Sequence, residues 1–96
     1  MRIRYTTVAF AEREAIFEYL NQQSPQVARE VVGLIARRIA ELADHPSKGH
    51  RTDRKGMLSL WVAPLPYRVF YRIEGDDVVI VHIRHTARRP WRGGKR

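Results

Sequence analysis

The sequence predicts an α+β fold of order β-α-α-β-β-β, with a helical hairpin packed on one face of a small, mainly antiparallel sheet. Three observations predict it. Two consecutive segments carry apolar residues at three- and four-residue offsets, and Ser24-Pro25 stands between them. Three alternating segments follow Gly56, separated by turn residues. The 96 residues are 44% hydrophobic and contain no cysteine, which fits one domain stabilised by its core alone.

The elements follow in chain order. Arg2 to Thr6 alternates, with Ile3 and Tyr5 on one side, and reads as a short strand. Thr6 or Thr7 caps a helix that begins near Val8 and ends around Asn21-Gln22-Gln23. Its expected inward stripe is Phe10, Ile16, Phe17 and Leu20, with Glu12, Arg13, Glu14 and Glu18 largely outside. Ser24 caps the second helix and Pro25 suits its first position, where a missing N–H costs nothing. That helix is expected to run to about Ala43 with Ala28, Val31, Val32, Ile35, Ile39 and Leu42 inward. Asp44-His45-Pro46 stops it, because the residue before proline is pushed out of helical geometry.

Pro46 to Gly56 reads as a polar loop. The next strands span Leu58 to Ala63, Tyr67 to Ile73 and Val78 to about Arg84, joined by Pro64-Leu65-Pro66 and by Glu74-Gly75-Asp76-Asp77. Residues 1–96 form a single domain, with about 86–96 a basic C-terminal loop or tail. If the helices cover one sheet face, Ser59, Trp61, Arg68 and Arg72 lie on the other, with the two arginines expected as a close pair of charges.

Charge narrows the function classes. Eighteen Lys and Arg against ten Asp and Glu give +8, and no acid follows Asp77. Six cations (Arg84, Arg88, Arg89, Arg92, Lys95 and Arg96) fall in that acid-free stretch. Such a field favours an anionic partner, either nucleic acid or an acidic protein segment. No secretory or membrane-spanning pattern is present, so a cytoplasmic protein with no membrane partner is expected. His82 and His85 cannot share one side of a straight strand, and no thiol exists, so no metal or other cofactor is expected. Phosphate-binding loops and nucleophile elbows are missing as well.

What remains is the set Arg68, Arg72, His85, Arg88, Arg89 and Trp91. Metal-free RNA cleavage needs a base, an acid and cations for the phosphate. Arginine stays protonated and supplies only charge, so His85 is the one member suited to proton transfer. His85 reads more simply as an ordinary strand-end histidine bonded to backbone. Trp91 reads either as a stacking surface or as an aromatic folded back on the sheet.

Four segments taken together resemble the RelE/ParE superfamily of type II toxins. They are Ser24-Pro25, Leu42-Ala43-Asp44-His45-Pro46, Pro66-Tyr67-Arg68-Val69-Phe70-Tyr71-Arg72 and Ile83-Arg84-His85-Thr86-Ala87-Arg88-Arg89. The resemblance implies the toxin of a toxin–antitoxin pair, in a hetero-oligomer with a cognate acidic antitoxin. RelE-like members are ribosome-dependent mRNA endonucleases, and ParE-like members inhibit DNA gyrase. Arg68 and, approximately, Arg88 match the arginines of the nuclease branch. Its two lysines fall on Ser59 and Trp61, and its C-terminal tyrosine falls near Gly94 in a tail without tyrosine. The resemblance therefore points to the ParE-like branch, a gyrase inhibitor rather than an enzyme. The implied target contacts are Arg68, Arg72, Arg88, Arg89 and Trp91. The alternatives are a nuclease acting on ribosome-bound mRNA through Arg68, His85 and Arg88, and a non-catalytic nucleic-acid-binding module.

Overall fold

The computed structural model describes residues 1–87. Its elements are β1 (Arg2–Tyr5), α1 (Thr7–Asn21), α2 (Pro25–Glu41), β2 (His50–Arg51), β3 (Leu58–Trp61), β4 (Tyr67–Glu74) and β5 (Asp77–His85). The expected α+β architecture is present, with one strand more than the sequence predicted. The short β2 forms inside the segment expected as a polar loop. It contributes pairing rather than burial, which is why its polar, exposed sequence carries no alternation signal.

The strands form one five-stranded sheet of order β1-β5-β4-β3-β2. β1 runs parallel to β5, and all other neighbours are antiparallel. A parallel neighbour requires a crossover, and the α1–α2 hairpin supplies it within the connection from β1 to the later strands.

Capping fixes both helix starts. Thr6 Oγ1 accepts the Ala9 N–H at 3.0 Å, and Ser24 Oγ accepts the Val27 N–H at 3.3 Å with Pro25 in the first helical turn. The α2 stripe is as expected in Ala28, Ile35, Ile39 and Leu42, all essentially buried. The α1 stripe differs at Phe10, whose side chain is half exposed while Ala9 takes the inward place. The ring of Phe10 instead flanks the Arg13 guanidinium, which also lies 4.9 Å from the Tyr5 ring centre.

The core lies between the helices and one sheet face, where Tyr67, Val69 and Tyr71 of β4 meet Ile35, Ile39 and Leu42. Tyr71 is fully buried, with its hydroxyl donating to the Pro46 carbonyl at 2.7 Å and accepting the Gly49 N–H at 2.9 Å. Burial pushes its pKa up, and the Gly49 bond offsets part of that rise.

Candidate functional site

The register of β4 against β5 decides which side chains share a face. Pairing runs from Tyr67↔His85 to Phe70↔His82, then resumes at Tyr71↔Ile80. Val81 is thus an extra residue in β5, a β-bulge. Strict alternation from the buried Val78 and Ile80 would put His82 and Arg84 on the helix side and His85 on the open face. The bulge reverses this. Ile83 and His85 join the core-facing row, and His82 and Arg84 turn to the open face opposite Phe70 and Arg68.

The structure accordingly separates residues that the sequence grouped. Arg68 and Arg72 do share the open face, but they stand four positions apart along the strand, about 13 Å, too far to act as a close pair. Arg68 Nη1 donates to Ser59 Oγ at 2.6 Å, and Arg84 lies across from it. Arg72 belongs to a different cluster, ion-paired with Glu74. Arg4 bonds Asp77 at 2.8 Å and Glu74 at 3.4 Å, and Arg2 bonds Asp77 at 2.9 Å. Three guanidiniums there share two carboxylates. Desolvation pushes the Asp77 carboxyl up, but the bonds from Arg4 and Arg2 outweigh it and hold its pKa below the ordinary carboxylate value.

His85 stands on the opposite side of the sheet from Arg68. Its ring meets Tyr67 edge-on at 5.1 Å between centres, and its Nδ1 accepts the Ala87 N–H at 3.1 Å. Arg88, Arg89 and Trp91 lie outside the described residues.

Two residues of the open face escaped the sequence reading because the bulge conceals them. His82 Nδ1 lies 3.2 Å from an Arg84 guanidinium nitrogen and 3.4 Å from Glu12 Oε2. Glu12 was expected to face largely outward. It is part-buried instead, and its other oxygen accepts the Ile83 N–H at 2.8 Å. β1 ends opposite Ile80, so the β5 backbone beyond that point has lost its neighbouring strand, and Glu12 takes over one bond of the missing ladder. No sequence pattern marks a helix carboxylate for a strand edge seventy residues away.

The open face is not bare. Residues 52–57 form a tight turn over it, closed by Thr52 N–H to Met57 O at 3.1 Å and Met57 N–H to Arg54 O at 3.0 Å. Gly56 supplies the positive φ of 79° that this turn needs. Met57 is buried beneath it. Between the turn and the strands is a cleft of about 350 Å³ walled by Arg54, Met57, Phe70, His82 and Arg84. A second groove of about 260 Å³ lies on the helix side, between Ala15, Ile16 and Tyr19 of α1 and Tyr67, Ile83 and His85 of the strands. Trp61 stands half exposed on the open face, with its indole N–H on the Leu65 carbonyl at 2.7 Å.

Known proteins share the fold. In structure the chain is similar to the chromosomal ParDE toxin–antitoxin system of P. aeruginosa, with a TM-score of 0.79 and 23% identity over 88% of this chain and 95% of that one. In sequence it is 33% identical to Y4kP of Sinorhizobium fredii over 90 residues, covering 94% of this chain and 92% of that protein. It is also 33% identical to toxin RelE2 of Caulobacter vibrioides over 87 residues, covering 91% of this chain and 97% of that toxin. The family described as the ParE toxin of the type II toxin–antitoxin system parDE matches residues 3–90. With sheet order, helical hairpin and sequence in agreement, the chain belongs to the ParE toxin family of type II toxin–antitoxin systems.

Proposed function

We propose that this toxin acts by binding DNA gyrase and blocking its cycle, and that it is not an enzyme. The observation that carries this reading is the placement of His85 on the opposite sheet face from Arg68. A nuclease built on Arg68, His85 and Arg88 needs its proton-transfer group and its phosphate-binding cation within reach of one scissile bond. A sheet stands between the two here. Ser59 and Trp61, which occupy the positions of the nuclease-branch lysines, carry no charge. What remains suited to a protein target is the open-face end with Arg68 and the half-exposed Trp61, together with the cations and the tryptophan of the C-terminal sequence, Arg88, Arg89 and Trp91.

A purified-gyrase supercoiling assay tests the reading. Inhibition is expected, weakened about tenfold or more by Arg68→Ala, on the scale of an interface arginine. An absence of inhibition at large toxin excess overturns the reading. In cells, SOS induction with filamentation is expected rather than immediate translation arrest. Cuts in ribosome-bound mRNA that His85→Ala abolishes would establish the nuclease alternative instead.

The cognate antitoxin is proposed to lay an amphipathic, acidic segment along α1. The groove there offers Ile16, Tyr19 and Tyr67 to its apolar side, and the arginines of the acid-free C-terminal stretch supply the charge for its carboxylates.

A further inference from the structure

We infer that the cleft under the 52–57 turn binds a single nucleotide unit, base and phosphate together, as presented by an unpaired nucleic-acid strand or a free nucleoside monophosphate. The inference stands apart from gyrase binding and uses none of the residues assigned to it. Three features of the cleft support it jointly.

The first is size and rigidity. At about 350 Å³ the cleft falls at the small end of the range for small-ligand sites, roughly 300–1,000 Å³. Its outer wall is already ordered. Thr52 Oγ1 donates to the Met57 carbonyl at 2.9 Å and accepts the Arg54 N–H at 3.1 Å, so binding has little loop to order.

The second is the apolar surface. Phe70 presents an aromatic ring from the open side of β4, and Met57 packs beside it. Aromatic rings stack on bases of any identity. An ordinary anion site has no use for such a surface.

The third is charge. Arg54 has no ion pair among the described residues. Arg84 and His82 approach from β5. Glu12 offsets the charge of Arg84 from behind, at 3.5 Å, so Arg54 is the cation left to meet a phosphodiester. Asp53 lines the same cleft. With Glu12 its carboxylate balances the two arginines, so the cleft is formally neutral and disfavours a bare phosphate, while its oxygens accept hydrogen bonds from the amino or imino groups of a base. Duplex DNA fits poorly, because its bases are paired and stacked away from Phe70.

The test titrates the full-length chain with a fluorescein-labelled single-stranded oligonucleotide and follows anisotropy, with unlabelled competitors. Displacement by excess unlabelled single strand is expected. Arg54→Gln is expected to weaken binding several-fold and to flatten the log K against log salt slope by about 0.7, the loss of one phosphate contact to a single strand. Phe70→Leu is expected to cost about tenfold, the loss of one stacked base. Arg29→Gln, on exposed α2, is expected to change neither. Competition by nucleoside monophosphates at millimolar concentration would identify free nucleotide as a sufficient ligand, and competition by strand alone would identify the strand. Either outcome supports the site. Equal competition by inorganic phosphate or by duplex overturns it, as does equal weakening by Arg29→Gln and Arg54→Gln. Phe70→Leu is checked for folding by circular dichroism, and Arg54→Gln alters only an exposed side chain. Gyrase inhibition measured on the same variants keeps this result separate from the proposed toxin activity.

Discussion

Tyr71 and Gly49 show how one hydroxyl fixes the chain between α2 and the sheet. The Tyr71 oxygen holds both Pro46 and Gly49, so Tyr71→Phe strips a carbonyl and an N–H of their partner at once. A loss of about 1–3 kcal/mol in urea-unfolding free energy is expected. Gly49 is needed for space rather than conformation. A Cβ there would stand 2.7 Å from the Tyr71 oxygen and 2.8 Å from the Ser59 carbonyl, so Gly49→Ala is expected to cost about 1–3 kcal/mol in the same measurement. Asp77 sets a pH dependence. Its folded pKa is depressed, so its contribution to stability is present above the unfolded value of about 3.9 and is lost as pH falls through the lower folded value. Urea midpoints measured from pH 5 downward are expected to fall less steeply for Asp77→Asn than for the parent, with the variant less stable at pH 7.

At the scale of the element, the helices and β4 are plain in the sequence because each buries a periodic stripe. Ser24-Pro25 and Thr6 announce their caps for a local reason, since a side-chain oxygen meets an N–H only three residues away. β5 is different. Its bulge at Val81 depends on the partner strand, and nothing in Val78-Val79-Ile80-Val81-His82-Ile83 says which residue will be the extra one. The strap from Glu12 to β5 is equally non-local. Removing it by Glu12→Ala is expected to leave the Ile83 N–H without an acceptor, at a cost of about 1–3 kcal/mol. Faster hydrogen exchange at the Ile83 amide is the specific sign, and Glu12→Gln, which keeps an acceptor oxygen, should restore much of the protection.

Across the whole molecule, the +8 charge is distributed unevenly in effect. The Arg2, Arg4 and Arg72 end of the open face is balanced by Glu74 and Asp77, and the Arg68 and Arg84 end is balanced less fully, by Glu12. Long-range steering of an acidic partner follows from net charge, whereas the pairing within the face governs short-range contact. The on-rate of the cognate antitoxin, measured by stopped flow, is expected to fall steeply between about 0.05 and 0.5 M salt as screening shortens. An on-rate indifferent to salt would remove charge steering from the account.

The sequence alone determined the fold class, both helices with their caps, the three longer antiparallel strands and the family, because local periodicity, capping chemistry and turn residues are written within a few positions of where they act. Only the tertiary structure decided which charged groups share a face. The Val81 bulge moved His85 away from Arg68 and brought His82 and Arg84 into its place. The Glu12 contact and the turn roofing the open face likewise arose from segments far apart in the chain. The physical reason is that a one-residue shift in strand pairing inverts every later side chain, and its position is set by the neighbouring strand rather than by the residues that are turned.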